Sequence, residues 1–261
     1  MKIDLTGKNV LVGGSSKGIG LAIAKRLASS GANVTLMARN IIALKRAVSE
    51  LDKTKDQIHQ SLIVNFSDFQ SFTKKIDSFF EKNKIDILVN NTQGPPAGKA
   101  LEKNINEYQK AFDLLFKTAI YTTSLAIPHM KNKSWGRVIN VSSISIREPI
   151  NNLTLSNSLR SALVMWAKGL SNDIAQFNIT VNNILTGFFD TERLEQLNSS
   201  KAREQGKTLM EINKQIKALI PMKRFGDVDE YANLVCFLAS DLSGYITGAN
   251  IPIDGGVLKS I

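Results

Sequence analysis

The sequence predicts a single α/β domain over residues 1–261, built on a doubly wound parallel sheet of about seven strands with helices on both faces. Three observations predict it. Short apolar runs alternate with amphipathic segments along the whole chain. Each run is apolar at nearly every position, as strands covered on both faces require. A glycine-rich turn, Gly13-Gly14-Ser15-Ser16-Lys17-Gly18-Ile19-Gly20, joins the first run directly to the first amphipathic segment.

The elements follow in order. Val10-Leu11-Val12 is the first strand. Ile19, Ala22, Ile23 and Leu27 then fall at helical spacing, and Gly31 ends that helix. Val34 to Met37 is the second strand, Leu62 to Val64 the third, Ile85 to Val89 the fourth and Arg137 to Val141 the fifth. Ile179 to Ile184 is the sixth, and Asn250 to Ile253 the seventh. Helical stretches fill the gaps, with no linker, repeat or low-complexity tract between them. The longest insertion, at about 190–221, is polar and helix-prone. It follows the sixth strand, and the carboxyl ends of strands in an open α/β sheet border the ligand crevice. It is therefore either a lid or a solvated pair of surface helices.

The bulk properties narrow the function. The single cysteine, Cys236, lies in the apolar run Leu234 to Leu238 and is expected as a core thiol, without a disulfide, in a reducing cytoplasm. The polar start Met1-Lys2-Ile3-Asp4-Leu5-Thr6-Gly7 does not have the form of a signal peptide, and no apolar run approaches the roughly 20 residues of a membrane span. A soluble protein without a membrane or nucleic-acid partner is expected. The net charge of +10 comes from scattered lysines and arginines without a zinc-finger or aromatic-rich basic motif, so it suits a surface that attracts anionic cofactors and substrates.

The glycine turn carries the first chemistry. Gly14, Gly18 and Gly20 permit a tight turn and let the backbone approach a pyrophosphate, while Ser16, Lys17 and Ile19 open a helix whose free N–H groups and dipole favour that anion. The required strand–turn–helix context surrounds the motif. After the second strand stands Met37-Ala38-Arg39-Asn40, without the acid that holds the ribose hydroxyls of NAD. Arg39 and Lys17 then flank a 2′-phosphate, which favours NADP(H) over NAD(H).

These motifs resemble the short-chain dehydrogenase/reductase family over nearly the whole chain, and within it proteins labelled 3-oxoacyl-carrier-protein reductase. The turn has the family's G-x-x-x-G-x-G spacing. Asn90-Asn91-Thr92-Gln93-Gly94 stands for its Asn-Asn-Ala-Gly motif, and Val141-Ser142-Ser143 for its serine motif. Thr186-Gly187 stands for the Pro-Gly turn at the nicotinamide, and Ile246-Thr247-Gly248 with Ile253-Asp254-Gly255-Gly256 for the C-terminal signature. The resemblance implies a Rossmann-type fold, a dimer or tetramer, a Ser, Tyr and Lys at the reacting centre with an Asn upstream, and a cofactor-binding set completed by Asn65 and Phe66 after the third strand with Asn91, Arg160 and Gly187. Ser143 is retained. Thirteen residues on, the family's Tyr is Ser156, and four further its Lys is Arg160; Ala162 to Lys168 fixes that register. The family's Asn falls at Leu115.

These replacements change the chemistry. An aliphatic hydroxyl is a far weaker acid than a phenol and is shorter by a ring, and an arginine stays protonated, with a pKa above about 12. Ser143, Ser156 and Arg160 are the catalytic candidates. Arg160 holds ribose or adds fixed positive charge, and Ser156 is either a catalytic hydroxyl or a helix-capping or surface one. Tyr121 and Tyr245 are expected as packing residues, and His59 and His129 lie away from the site. Two functions follow: an NADP(H)-dependent reductase of a small-molecule or acyl-thioester carbonyl, 3-oxoacyl-like, or an NADP(H)-binding sensor or partner subunit without turnover. A further reading has Lys201, Arg203, Lys207, Lys214 and Lys217 docking an acidic carrier protein, against a plain solvated face.

Overall fold

The computed structural model describes residues 3–260. β1 (Asn9–Gly13) leads through the glycine turn into α1 (Gly18–Ser29), followed by β2 (Asn33–Ala38), α2 (Ile41–Ser49), β3 (Gln60–Ile63), α3 (Phe69–Lys82) and β4 (Ile87–Asn90). α4 (Ile105–Phe112) runs through a π-helical turn, Asp113–Lys117, into α5 (Thr118–Lys133). The chain continues through β5 (Gly136–Val141), α6 (Thr154–Ile174), β6 (Ile179–Thr186), α7 (Glu192–Gln205), α8 (Leu209–Leu219), α9 (Val228–Leu238) and β7 (Asn250–Ile253). Asn40, Asp68, Asn104, Thr191, Thr208 and Asp227 each cap a helix by accepting a first-turn N–H.

Among the described residues the strands form one parallel sheet in the order β3-β2-β1-β4-β5-β6-β7. Alternate side chains enter two cores. Val10, Val12, Ile87, Val89 and Ile139 face the layer of α1, α2 and α9. Leu11, Leu88, Val138 and Val181 face α3, α5 and α6. Apolar surface on both sides of the inner strands is thus removed from water, which explains their unbroken apolar runs. Cys236 is buried, its Sγ 3.2 Å from the Ser30 hydroxyl, as a core thiol should be.

Three details depart from the sequence expectation. β3 starts at Gln60, and Gln60 and Ser61 are exposed because this is the edge strand. β4 starts at Ile87, because the buried Asp86 serves as a polar foot that accepts from the Asn9 N–H (2.9 Å) and holds His129 and Lys133. Tyr245, expected to pack, is fully exposed.

The apolar runs also conceal a polar line. Asn90, Asn140, Asn183 and Asn250 are register partners across β4, β5, β6 and β7. Each donates its side-chain amide to the next carbonyl, at 2.9, 2.9 and 2.8 Å. The chain winds outward from β1 through β2 to β3, then returns to β4 beside β1. The crevice at that reversal, above the carboxyl ends of β1 and β4, is where such sheets take ligands.

Candidate active site

The glycine turn occupies that crevice. Gly14 and Gly18 have φ of +54° and +56°, in the left-handed region where a Cβ is strained. A Cβ on Gly20 would lie 2.3 Å from the Gly14 carbonyl oxygen, so α1 can start this close to the turn only at a glycine. Ser15 ties the turn down: its buried hydroxyl donates to the Val12 carbonyl (2.8 Å) and accepts from the Met37 N–H (2.9 Å). Asn91 clamps it from β4, its amide 3.0 Å from the Gly13 carbonyl. The Cβ position of Gly18, by contrast, meets only Thr191, at 3.6 Å. A turn held from beneath by protein groups, at the open N-terminus of α1, fits a dinucleotide pyrophosphate.

The two cations expected at a 2′-phosphate each hold a protein partner. Arg39 donates to the Gln93 side-chain carbonyl at 2.6 Å, and Lys17 pairs with Glu192 of α7. Asn65 is exposed and forms a turn with the Ser67 N–H, while Phe66 is buried and lines the cleft beside Met37 and Asn91. The structure therefore lines one side of the crevice with Phe66 and Asn91, holds Arg39 on Gln93 of the loop that follows Asn91, and sets Ser16, Lys17, Gly18 and Ile19 around the N-terminus of α1.

Across the crevice lies the serine motif. Ser143 follows β5 in extended backbone, and its hydroxyl accepts from the Ser145 N–H at 3.1 Å. Its own proton remains available to donate to a carbonyl oxygen. Ser156 is in the first turn of α6, but Leu153 is the cap residue, so the capping role weighed for Ser156 is not the one it has. Its hydroxyl accepts from Arg160 Nε at 3.1 Å, one turn along, and Arg160 Nη1 donates to the Val141 carbonyl. The guanidinium is thus locked at the end of β5. Burial pushes its pKa down, the nearby Tyr231 pulls it up, and Arg193 pushes it down again. Leu115 lies in the π-helical turn and lines the same cleft as Arg160, with an apolar side chain where a polar one is expected from the resemblance.

Gly187 follows β6 and donates to the Ile253 carbonyl at 3.0 Å; a Cβ there would meet Asp254 Cα at 2.6 Å. Next to it the Thr186 hydroxyl is 3.0 Å from the hydroxyl of Tyr231, a fully buried residue of α9 whose pKa burial pushes up. Tyr121 donates to Asp77 and packs on Phe69. His129 sits at the Asp86 foot, and His59 Nδ1 accepts from the Val34 N–H, both away from the crevice.

Sequence reasoning missed Tyr231, Glu192 and Arg193. Arg193 Nη2 donates to the Pro95 carbonyl at 3.1 Å, 98 residues distant in sequence, and lies 3.5 Å from the Cβ position of Gly94. Burial pushes its pKa down as well. The only signal was position, since the insertion had to leave β6 at the crevice side of the sheet.

The sheet order, the glycine turn at its reversal and the polar groups facing it define a doubly wound, dinucleotide-binding class of protein. A family model described as enoyl-(acyl carrier protein) reductase matches residues 14–258, and the chain belongs to this short-chain dehydrogenase/reductase family. The NADPH-dependent reductase BacG of Bacillus subtilis is 32% identical over 97% of this chain and 99% of its own. The 3-oxoacyl-[acyl-carrier-protein] reductase of Aquifex aeolicus is 29% identical over 98% of this chain and 100% of its own. The crystal structure of L-sorbose reductase from Gluconobacter frateurii with NADPH and L-sorbose superposes with a TM-score of 0.92 at 28% identity, covering 100% of both chains.

Proposed function

We propose that this chain is an NADP(H)-dependent reductase of a carbonyl compound. The observation that carries the reading is the Ser143 hydroxyl, which accepts from the Ser145 N–H and keeps its proton to donate, two residues after the Val141 carbonyl that fixes the charge of Arg160. When bound, NADPH supplies hydride to the carbonyl carbon. Ser143 donates to the carbonyl oxygen. Arg160, held by Ser156 and Val141, adds positive charge where the alkoxide develops. Arg160 stays protonated and gives up no proton, so water in contact with Ser143 and Ser156 protonates the alkoxide and leaves hydroxide.

Arg39 carries the preference for NADP(H). Its partner Gln93 is neutral, so its charge is uncompensated, whereas Lys17 must release Glu192 before it reaches a phosphate. Asn65, Phe66, Asn91 and Gly187 complete the cofactor surface in this reading. The segment at about 190–221, α7 and α8, is a lid: Glu192 and Arg193 bind opposite walls of the crevice. Similar relatives named as reductases of acyl-carrier-protein thioesters and of a sugar support a small-molecule or thioester substrate. Assembly into a dimer or tetramer fits the exposed Leu101, Ile105 and Met165. Among the described residues no helix is long and apolar enough to cross a membrane, and the lone buried thiol suits a cytoplasmic setting.

The test is NADPH oxidation across a panel of carbonyl compounds, repeated with Ser143→Ala. The expected result is turnover by the native chain and a loss of about 100-fold in kcat in the variant, with NADPH affinity retained. Tight cofactor binding without turnover on any compound favours the sensor or partner-subunit reading, which Ser156 and Arg160 in place of the family's Tyr and Lys motivate.

A further inference from the structure

The first turn of α7 sends two adjacent charges in different directions. Successive residues on a helix diverge by about 100°. Glu192 reaches the glycine turn and pairs with Lys17, while Arg193 reaches the wall formed by Gly94 and Pro95. Arg193 is thereby held on the loop after β4, while Arg160, from α6, is held at the end of the neighbouring strand β5, close enough for the charge of Arg193 to act on it. Their hydrogen bonds go to neutral oxygens: the Pro95 carbonyl for Arg193, the Ser156 hydroxyl and Val141 carbonyl for Arg160.

Arg160 is half-buried, and Arg193 is exposed apart from its part-buried hydrogen bond to Pro95; among the described residues neither pairs with a carboxylate, so their charges repel and Arg160 also loses hydration. An anion placed between them removes both costs, and a guanidinium matches a carboxylate through two parallel N–H donors. The pyrophosphate has its own cradle at the N-terminus of α1, on the side to which Glu192 points. The Arg160 side adjoins Ser142 and Ser143, where the carbonyl oxygen is held.

We propose that Arg160 and Arg193 together form a carboxylate-binding subsite beside Ser143, so that the preferred substrate is an oxo acid with a free carboxylate rather than an ester or thioester. This rests on the reductase reading for the reaction, but not for the binding of the anion. Arg193 is the specificity-determining residue, because it meets the carboxylate and makes no contact with the reacting carbonyl.

Two measurements test it. The first is calorimetric titration of malonate, a carboxylate with no reducible carbonyl, into the protein alone and with NADP+ present. Binding is expected in both states, weakened about tenfold or more by Arg193→Gln and partly kept by Arg193→Lys. The second is the ratio of kcat/KM for 3-oxobutanoate to that for its methyl ester. A ratio of about ten or more is expected in the native chain, falling toward one in Arg193→Gln. Malonate that fails to bind, or that binds native and Arg193→Gln protein equally, overturns the subsite. So does malonate that competes with NADPH while Arg193→Gln weakens NADPH as much as malonate, since the anion held is then the cofactor's. Malonate bound through Arg193 without turnover of any oxo compound leaves the subsite standing and removes the reductase reading.

Discussion

At position 156 a hydroxyl takes the place that resemblance gives to a phenol, and the structure gives that hydroxyl an occupation. It accepts from Arg160 Nε and so helps fix the guanidinium at the end of β5 that we propose for the reacting centre. A serine and an arginine one turn apart are thus a matched pair for positioning charge, whereas a phenol and an ammonium are a matched pair for moving a proton. Installing the latter, with Ser156→Tyr and Arg160→Lys together, should raise kcat about tenfold or more. The new phenol, its pKa lowered by the ammonium, should also add a limb to the pH–rate profile that the native chain lacks. An unchanged profile would mean that the phenol does not reach the carbonyl. On the cofactor side Arg39→Ala removes a charge-assisted contact worth about 1.5–3 kcal/mol. NADPH should then bind about 10- to 100-fold more weakly while NADH changes by a small factor, as cofactor titrations by fluorescence would show. Equal losses would place Arg39 outside the 2′-phosphate contact.

Among the elements, the sheet's asparagine line couples the fold to the site. Asn90 ends β4 just before Asn91, the residue that clamps the glycine turn, and Asn140 is followed by Val141, whose carbonyl holds Arg160. Asn140→Ala leaves the Asn183 side-chain carbonyl without its donor and removes the acceptor from Asn90, which keeps Thr123. The expected cost is about 1–3 kcal/mol in urea unfolding, and a neutral result would mean that water replaces the amide. The strands and the glycine turn were legible in the sequence because they depend on local pattern: burial on both faces fixes composition, and turn geometry fixes glycine. The asparagine line was not, because register pairs residues such as Asn140 and Asn183 that no local pattern connects. The site divided in the same way. Ser143 and the turn were legible from motifs, but Arg193 acquires its meaning only when α7 folds back to Pro95, and Tyr231 only when α9 lies under the end of β6.

For the molecule as a whole, charge sets the limit of stability in acid. The chain carries +10 at neutral pH, and protonating its 23 carboxylates adds repulsion as pH falls. Specific carboxylates act in the same direction. Hydrogen bonds from Thr6 and Lys55 hold Asp4 at about 2, and those from Arg224 and the Asp227 N–H hold Glu230 at about 2. Glu102, Glu107 and Glu211, which accept the N–H of their cap residues, are lowered as well. Each group binds fewer protons folded than unfolded, so its contribution is complete above its unfolded pKa, 3.8 for the aspartate and 4.5 for the glutamates, and is lost as pH falls through its lower folded value. The urea midpoint should therefore hold from pH 7 to about 5 and fall steeply below. Glu230→Gln separates the local effect from the general one. It removes the ionised acceptor that Arg224 grips with two hydrogen bonds at 2.7 and 2.6 Å and that also accepts from the Asp227 N–H at 2.8 Å. Its deficit against the native chain should be present at pH 7 and shrink to a small remainder near pH 2, where about half of the native glutamate is protonated. Salt screens the exposed Arg224 charge but leaves the cap hydrogen bond, so 0.5 M NaCl should shrink the pH 7 deficit without abolishing it. A deficit of the same size at both pH values would show that Glu230 is not held ionised by these contacts, and the acid limb would then belong to net charge and the remaining carboxylates.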